Sequence, residues 1–355
     1  MVSSMQKYLV LLVPIFCFLS CKENLVEPVE DIPGSSNYDW FLDTIDVEIG
    51  HTLDRIYASS SNDVWACGQG EVWHYTNSKW TKDNTILGWG YGALGGSDKS
   101  NVWMIANGNY DGIDIFKFNG SNWNNFGHYK YDKLDSYLWL NDVWGTSPNN
   151  IYGVGAIENK TFTKNIGIVM KYDGTNWNIL DLPELNMNFY GIRGDPNGTG
   201  KYYIYGEQFV RDTTTNPITI TDFIYKIFEF DGQNIKEIFS NTSYYLFPAT
   251  IGGHTYFIGE GTIQKYQNGN FITLKDFNGS GYEIGSGQGR NSKDFILFCG
   301  EYESKYLLHY NGSELKKIFA VEGDINGIQI VENGVFVITR TLDWKWVIAR
   351  GTIKN

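Results

Sequence analysis

The chain has 355 residues, of which 42% are hydrophobic and 16% aromatic, and its formal net charge is −12. This length accommodates one large domain or two of average size, and the apolar content is enough for a folded core. The negative charge argues against a general nucleic-acid-binding protein, because such proteins need a basic surface to displace the counterions of the phosphates. We therefore expect no nucleic-acid partner and attribute the acidity to the solubility of an aromatic-rich chain.

Residues 1–20 have the pattern of a signal peptide. Lys7 is their only charged residue, and an apolar core follows over residues 8–19. This core is too short for a spanning helix, which needs about 20 apolar residues. Phe18-Leu19-Ser20-Cys21 resembles a bacterial lipobox, which implies that Cys21 is lipidated, with palmitate among its acyl chains. Ordinary cleavage, with Cys21 incidental, is the alternative.

Residues 21–37 form an acidic segment that contains Pro28 and Pro33 and has no apolar period. Such a segment predicts a flexible tether. Lys22 stands where an Asp retains many bacterial lipoproteins at the inner membrane, so resemblance to that sorting rule implies the outer membrane, with either leaflet possible. We expect contact with the membrane through the lipid anchor only.

The remaining chain, residues 38–355, repeats a strand motif seven times. Each complete copy places Lys, His or Glu before an aromatic residue, as in Lys117-Phe118, Lys171-Tyr172 and His309-Tyr310, and most copies continue into Asn-Gly or Asp-Gly. These dipeptides supply the positive φ angles of a two-residue hairpin turn. The motif therefore predicts a hairpin in each repeat.

A second strand lies upstream of each copy and carries one bulky residue, which we call the anchor. The predicted anchors are Trp65, Trp103, Tyr152, Tyr203, Tyr256, Leu297 and Phe336. Their spacing matches the roughly 40–50 residues of a four-stranded propeller blade. We predict an all-β fold, a seven-bladed β-propeller of four-stranded blades.

The last repeat ends at Asn355 with little chain left for an outer strand, whereas residues 38–45 precede the first repeat as an unattached strand. We predict that this N-terminal strand completes the last blade and closes the ring, because an open edge exposes unpaired backbone groups.

Asn62-Asp63-Val64-Trp65 and the run Tyr-Asp-Gly-Thr-Asn-Trp over 172–177 resemble bacterial lipoprotein propellers related to the Asp-box, regulator-propeller and galactose-oxidase-like groups. The resemblance covers residues 38–355 and implies the architecture without an activity. The Asp-Gly-Thr-Asn-Trp form lacks the Ser-x-Asp-x-Gly-x-x-Trp spacing of a sialidase Asp box.

Cysteine and histidine spacing gives no metal or catalytic pattern. Cys67 and Cys299 appear at equivalent positions of repeats one and six, where we expect buried thiols that form no disulfide. His74 and His309 fill a slot that Lys occupies in other repeats, and no histidines have zinc-ligand spacing. Residues 107–114 echo a calcium loop but lack its closing Glu, so a polar hairpin is preferred and calcium is the alternative. We predict no metal and no cofactor.

Arginine and glutamate give no catalytic pattern either. Arg55 and Arg193 lie near predicted inner strands, as two of the three arginines of a sialidase would, but no Glu–Tyr nucleophile pair is identifiable. We assign no catalytic residue.

The longest connections, residues 107–113, 126–140, 156–166 and 207–222, gather in repeats two to four on one face. Long loops are more often functional than structural, and aromatic side chains stack on sugars or anchor proteins, although several could instead cap the blades. The predicted ligand-binding residues are Trp89, Tyr91, Tyr110, Tyr129, Tyr131, Tyr137, Trp139, Phe162, Tyr190 and Phe209.

These patterns favour a monomeric, non-enzymatic binding propeller, anchored to the cell envelope, that recognises a glycan or an envelope protein through its long-loop face. A carbohydrate-active enzyme, a glycoside hydrolase or lyase using Asp132, Asp135 or Asp212, is one alternative. A structural assembly partner of envelope proteins is the other.

Overall fold

The computed structural model describes residues 31–86, 90–109, 112–131, 136–161, 163–215, 217–301, 304–321 and 323–354. Its regular elements are 28 β-strands, arranged in seven four-stranded antiparallel sheets. The inner strands of successive sheets lie side by side around a ring, and the inner strand of the seventh sheet returns to that of the first. The prediction of a seven-bladed β-propeller is confirmed.

Within the first six blades the strands follow chain order from the axis outwards. Blade one has β2 (Arg55–Ser60), β3 (Asp63–Gly68), β4 (Glu71–Thr76) and β5 (Lys79–Lys82) after the N-terminal strand β1 (Tyr38–Ile45); blade two has β6 (Tyr91–Asp98), β7 (Asn101–Asn109), β8 (Gly112–Phe118) and β9 (Trp123–Tyr129); blade three has β10 (Ser136–Ser147), β11 (Asn150–Asn159), β12 (Asn165–Tyr172) and β13 (Trp177–Ile179). Blade four has β14 (Asn188–Gly194), β15 (Tyr202–Asp212), β16 (Thr219–Phe230) and β17 (Ile235–Asn241); blade five has β18 (Phe247–Ile251), β19 (His254–Gly259), β20 (Thr262–Gln267) and β21 (Asn270–Asp276); blade six has β22 (Ile284–Asn291), β23 (Asp294–Glu301), β24 (Ser304–Tyr310) and β25 (Leu315–Val321); blade seven has β26 (Gly323–Val331), β27 (Gly334–Thr341) and β28 (Trp346–Ile353).

The second strand of a blade is apolar almost throughout because neighbouring blades cover both of its faces. β3 is buried from Val64 to Gly68, and β19 and β27 are buried over nearly their whole lengths. The fourth strands form the outer rim and are far more exposed, as in β21. This difference explains why the anchor strands stand out so clearly in the sequence.

The recurring Lys or His before an aromatic residue has a structural cause. Each such residue pairs across the blade with the anchor of the second strand: His74 with Trp65, and Lys117 with Trp103. The His74 ring stacks on Trp65 at 3.7 Å, and Lys117 Nζ lies 5.0 Å from the Trp103 ring centroid. Cations and aromatic faces attract each other, so in the blades with a lysine in this position the lysine and the anchor stabilise the blade together.

The same register corrects the anchor of blade six. His309 pairs with Ile296, so Ile296 is the anchor and the choice of Leu297 was wrong by one residue. Cys299 therefore lies one position further along its strand than Cys67, and the two are not equivalent. The run from Phe295 to Cys299 is entirely apolar and offers no period from which the register could be read. Both cysteines are nevertheless buried and neither forms a disulfide, as predicted.

The N-terminal strand closes the ring as predicted. The seventh sheet has the order β1-β28-β27-β26, and β1 pairs antiparallel with β28 from Tyr38 opposite Ile353 to Ile45 opposite Trp346. The side chains of Tyr38 and Ile45 are buried. β1 therefore covers the edge that β28 would otherwise expose.

Residues 32–37, at the end of the predicted tether, lie against blade six. Gly34 N donates to Lys293 O at 3.0 Å, and Ser36 Oγ lies 2.7 Å from His309 Nδ1. A Cβ on Gly34 would come within 2.2 Å of the Asp294 carboxyl carbon, so only glycine permits this approach. Residues 1–30, with the signal peptide and Cys21, lie outside the described residues. In the ranges that the structure does describe, no helix has the length and hydropathy of a membrane span.

Candidate functional site

Each blade contributes one inner-strand residue at the same level around the axis. In blade one this residue is Arg55, which pairs with Cys67, two residues after the anchor Trp65. The same pairing in the other blades selects Ala93, Asp142, Gly191, Phe247, Ser286 and Gly327. We call these seven residues the axial ring. They bring together positions that no short sequence motif connects.

The inner strands enclose a central channel of about 540 Å³. Its polar lining residues include Arg55, Asp142, Arg193 and Tyr205. Arg193 forms an ion pair with Asp142, and the Asp142 carboxylate also accepts from Ile192 N at 3.0 Å. The expectation that Arg55 and Arg193 lie near inner strands is confirmed, since they belong to β2 and β14.

A cleft of about 930 Å³ opens above the channel across blades four to seven, and we call it the axial cleft. Its aromatic lining residues include Tyr245, Phe247, Tyr282 and Phe298, and its charged ones are Glu260, Glu283 and Lys305. Phe247, Ser286, Gln288, Phe298, Gly327 and Ile328 line both the cleft and the channel. The two spaces therefore form one continuous recess around the axis.

The cleft lies where the connections are short. Blade five turns from β19 to β20 through Glu260 and Gly261 alone, whereas β15 and β16 of blade four continue as a long hairpin. The prediction of long loops over 156–166 and 207–222 was wrong, because most of these residues pair as strands, for example Phe209 with Phe223. The first five residues of β16, 219–223, are exposed on both faces, so no alternation of apolar and polar residues identifies them as a strand.

Several predicted ligand-binding residues have structural contacts of their own. Tyr129 and Tyr131 pack against the core between blades two and three, and Trp139 Nε1 donates to Asn188 Oδ1 at 3.3 Å. Phe209 packs edge-on against Phe223 with ring centroids 5.6 Å apart.

Tyr137 lies half-buried in β10, and Tyr190 lies at a bulge of β14. Trp89, Tyr110, Phe162 and the side chain of Tyr91 lie outside the described residues. None of the described members lines the axial cleft or the channel. Their role in binding stays a prediction.

A buried carboxylate supports one wall of the cleft. Glu207, 7% exposed, accepts hydrogen bonds from the hydroxyl groups of Tyr190, at 2.6 Å, and Tyr245. Burial and the negative charge of Glu207 raise the pKa of Tyr190, which keeps its hydroxyl a donor. These contacts were not identifiable from the sequence. The partners are 17 and 38 residues apart in sequence, and only the fold brings them together.

One cluster has the composition of a metal site but not its chemistry. Ligand atoms of Glu48, His51 and Glu71 lie within 4.8 Å of one another. The buried Glu71 carboxylate accepts from His51 Nδ1 at 3.0 Å, Trp73 Nε1 at 2.8 Å and Lys82 Nζ at 3.2 Å. The Lys82 ammonium also lies 2.7 Å from Glu48 Oε1, so it supplies the positive charge that a metal ion would bring to these carboxylates.

The calcium-like segment has other partners as well. The Asn107 amide donates to Leu140 O at 2.7 Å and accepts from Leu140 N at 3.1 Å, and Asp114 lies 2.9 Å from His128 Nδ1. These contacts favour the polar hairpin. Of the carboxylates in the enzymatic alternative, Asp132 and Asp135 lie outside the described residues. Asp212 accepts from Thr214 N at 2.9 Å and does not line the cleft.

The described residues form a seven-bladed β-propeller with a continuous recess at its axis. No protein-family model and no curated protein matches the chain. Solved structures with similar folds include YCF48 bound to D1 peptide (TM-score 0.60, 12% identity, 92% of this chain and 100% of that one) and virginiamycin B lyase from Staphylococcus aureus (0.58, 13%, 90% and 100%). The WD40 repeats of RRP9 are also similar (0.54, 8%, 91% and 99%). At these identities the likeness shows the fold alone.

Proposed function

We propose that this chain is a binding propeller that holds a segment of a protein partner in the axial cleft. The observation that carries the proposal is the continuous recess formed by cleft and channel. At about 930 Å³ the cleft alone is within the roughly 300–1,000 Å³ range of ligand pockets. A similar fold is seen in YCF48 bound to a peptide, which supports a peptide as the ligand.

The lining of the cleft suits a peptide. Tyr245 and Phe247 stack at 5.2 Å and present aromatic surface, which anchors apolar side chains. Glu207 holds the Tyr245 hydroxyl, so this wall is fixed before a ligand arrives. A preformed wall lowers the entropy lost on binding.

Selection of a random peptide library on the purified chain tests the proposal. Gly285 lines the cleft, and a Cβ on it meets nothing within 4 Å, so Gly285→Trp places an indole in the cleft without a clash at its Cβ. We expect selected peptides to bind this variant at least about tenfold more weakly. Thr273→Trp, on the exposed outer strand of the neighbouring blade, is the matched control. Equal binding to all three proteins, or selection of no peptide, overturns the proposal.

A glycan array probed with the same three proteins separates the glycan alternative. Glycans that bind the parent chain and Thr273→Trp but not Gly285→Trp would replace the peptide as the ligand. Binding of neither ligand class, with co-purification of envelope proteins, would favour the structural alternative.

We also propose that the propeller is attached to the cell envelope, at the outer membrane, through lipidated Cys21. The support is the lipobox-like sequence Phe18-Leu19-Ser20-Cys21 and the Lys22 that follows it. Incorporation of a fatty-acid probe is expected in the parent chain and not in Cys21→Ala. Labelling that persists in Cys21→Ala contradicts the proposal.

A further inference from the structure

Two arginines and a tyrosine meet where the axial cleft enters the channel. Arg55 and Asp142 belong to the axial ring, and Arg193 extends from the next blade to bond Asp142. Its guanidinium group therefore lies at the level of the ring, with Phe247 and Ser286 of the cleft floor. Both arginines are thus at the bottom of the recess rather than on the outer surface.

The Tyr205 ring also lies at the level of the axial ring, in the space that a side chain at Gly191 would occupy. Tyr205 pairs with Gly191, the axial-ring residue of blade four. A Cβ on Gly191 would lie 2.3 Å from ring atom Cε1 of Tyr205 and 2.8 Å from its hydroxyl. Absence of a side chain at Gly191 therefore lets the phenol reach the channel. Burial raises the pKa of Tyr205; the charges of Arg193 and Arg55 act against that rise and the charge of Asp142 adds to it, so all three groups lie close enough to act on this hydroxyl.

In each guanidinium group some N–H groups are hydrogen-bonded to the protein and others are not. Arg55 Nε donates to Gly92 O at 3.0 Å, and its Nη1 donates to Asp54 O at 3.2 Å. Arg193 uses Nη1 for Asp142 and Ile192 O. Among the residues that the structure describes, Nη2 of either arginine and the Tyr205 hydroxyl have no acceptor. Fixed donors that face an open recess are a site for an anionic group.

The nearby acidic residues restrict the charge of that group. Asp142 and Asp54 line the channel together with the two arginines, and Asp54 accepts from Thr52 Oγ1. These two carboxylates offset the two positive charges, so a second negative charge on the ligand would be repelled. A singly charged carboxylate, whose two oxygens match the arginine fork, fits better than a phosphate dianion.

We propose that Arg55, Arg193 and Tyr205 form a carboxylate-binding subsite at the floor of the axial cleft. This inference rests on the proposed function, because it places a carboxylate of the bound segment at the channel end. The carboxylate comes either from the C-terminus of the peptide or from an Asp or Glu side chain.

Small probes test the subsite separately from peptide binding. N-acetylphenylalanine and N-acetylphenylalaninamide differ only in the carboxylate, and N-acetylaspartic acid amide offers it on a side chain. In ligand-observed NMR titrations of the purified chain, we expect the free acid to bind at least about tenfold more tightly than the amide. Tighter binding of the C-terminal or of the side-chain carboxylate identifies the source, and either supports the subsite.

Three variants assign the binding to named atoms. Arg55→Gln removes one guanidinium group, and Arg193→Lys keeps a charge beside Asp142 but loses the fork; each is expected to weaken the acid by about tenfold. Tyr205→Phe removes only a hydroxyl without an acceptor, so the fold is preserved even if an arginine variant misfolds. We expect about threefold weaker binding of the acid and no change for the amide.

The outcomes separate the two proposals. Equal binding of acid and amide, both lost in Gly285→Trp, overturns the subsite and leaves the cleft as a binding site. Peptides that bind while no small acid does would likewise overturn the subsite alone. An acid that binds while no peptide is selected supports the subsite and overturns the proposed function. Tighter binding of inorganic phosphate than of the acid overturns the carboxylate assignment.

Discussion

Asp43 and Arg350 form an ion pair at the seam where the N-terminal strand β1 meets β28. Arg350 Nη2 lies 3.2 Å from Asp43 Oδ1, and Trp80 Nε1 of blade one donates to Asp43 Oδ2 at 3.1 Å. Arg350 Nη1 also donates to the Tyr75 hydroxyl at 2.8 Å. The pair therefore joins the first strand, blade one and blade seven, three elements that must meet for the ring to close.

Asp43→Asn is expected to lower the free energy of unfolding by about 1–3 kcal/mol, because it leaves a partly buried guanidinium group without its charge partner. Urea denaturation measures the change. Asp39→Asn is the matched control, since Asp39 lies on the same strand and pairs with Lys354 at the surface. Such an exposed pair contributes about 1 kcal/mol or less. Equal losses in the two variants would contradict a special role for the seam.

Deletion of residues 38–45 should destabilise the whole propeller. Without β1, the polar backbone of β28 is open along its length and the buried side chains of Tyr38 and Ile45 are lost. We expect the melting temperature to fall by about 10 °C or more and aggregation to increase. Differential scanning calorimetry of the full and shortened chains measures the change; unchanged melting would mean that β1 is dispensable.

The fold was predictable because the seven repeats carry the same few signals. Anchors such as Trp65 and Trp103, and the His or Lys opposite each of them, occur at blade spacing along the chain. Register was not predictable where those signals fail. In blade six an unbroken apolar run hides the period, and Ile296 rather than Leu297 pairs with His309.

The recess was not predictable from loop length. Long loops were expected to mark the site, but blades three and four extend their strands instead, and the cleft lies beside the short turn of blade five. Its floor is assembled from single residues, such as Arg55, Phe247 and Ser286, contributed by different blades. Alignment of the seven inner strands by register is the signal that would have grouped them.

Asp294 makes the stability of blade six dependent on pH. Burial acts to raise the pKa of Asp294, but hydrogen bonding to His309 and the charge of Arg290 outweigh it and hold this pKa below the ordinary value of 3.8. A carboxyl group with a lowered pKa stabilises the folded state above its unfolded pKa, and this contribution is lost as pH falls through the folded one.

Asp294→Asn should therefore cost about 3 kcal/mol near neutral pH, where a buried charged cluster loses one partner. The difference from the parent chain should stay constant down to about pH 5 and shrink below about pH 4. Urea unfolding at a series of pH values measures it, with exposed Asp181→Asn as the control. A difference that does not change with pH would show that the Asp294 carboxylate contributes no linked stability.

The two propeller thiols should be unreactive until the protein unfolds. Cys67 and Cys299 are buried, and burial raises the pKa of the Cys67 thiol to about 12. Very little reactive thiolate exists at pH 8 under these conditions. A chain that begins at residue 31 contains only these two cysteines.

With a thiol-specific chromogenic reagent we expect this chain to show no reaction in buffer and two equivalents in denaturant. Thr273→Cys, on the exposed rim, should add one fast equivalent in buffer. Fast reaction of the parent chain in buffer would show that blades one and six open without global unfolding.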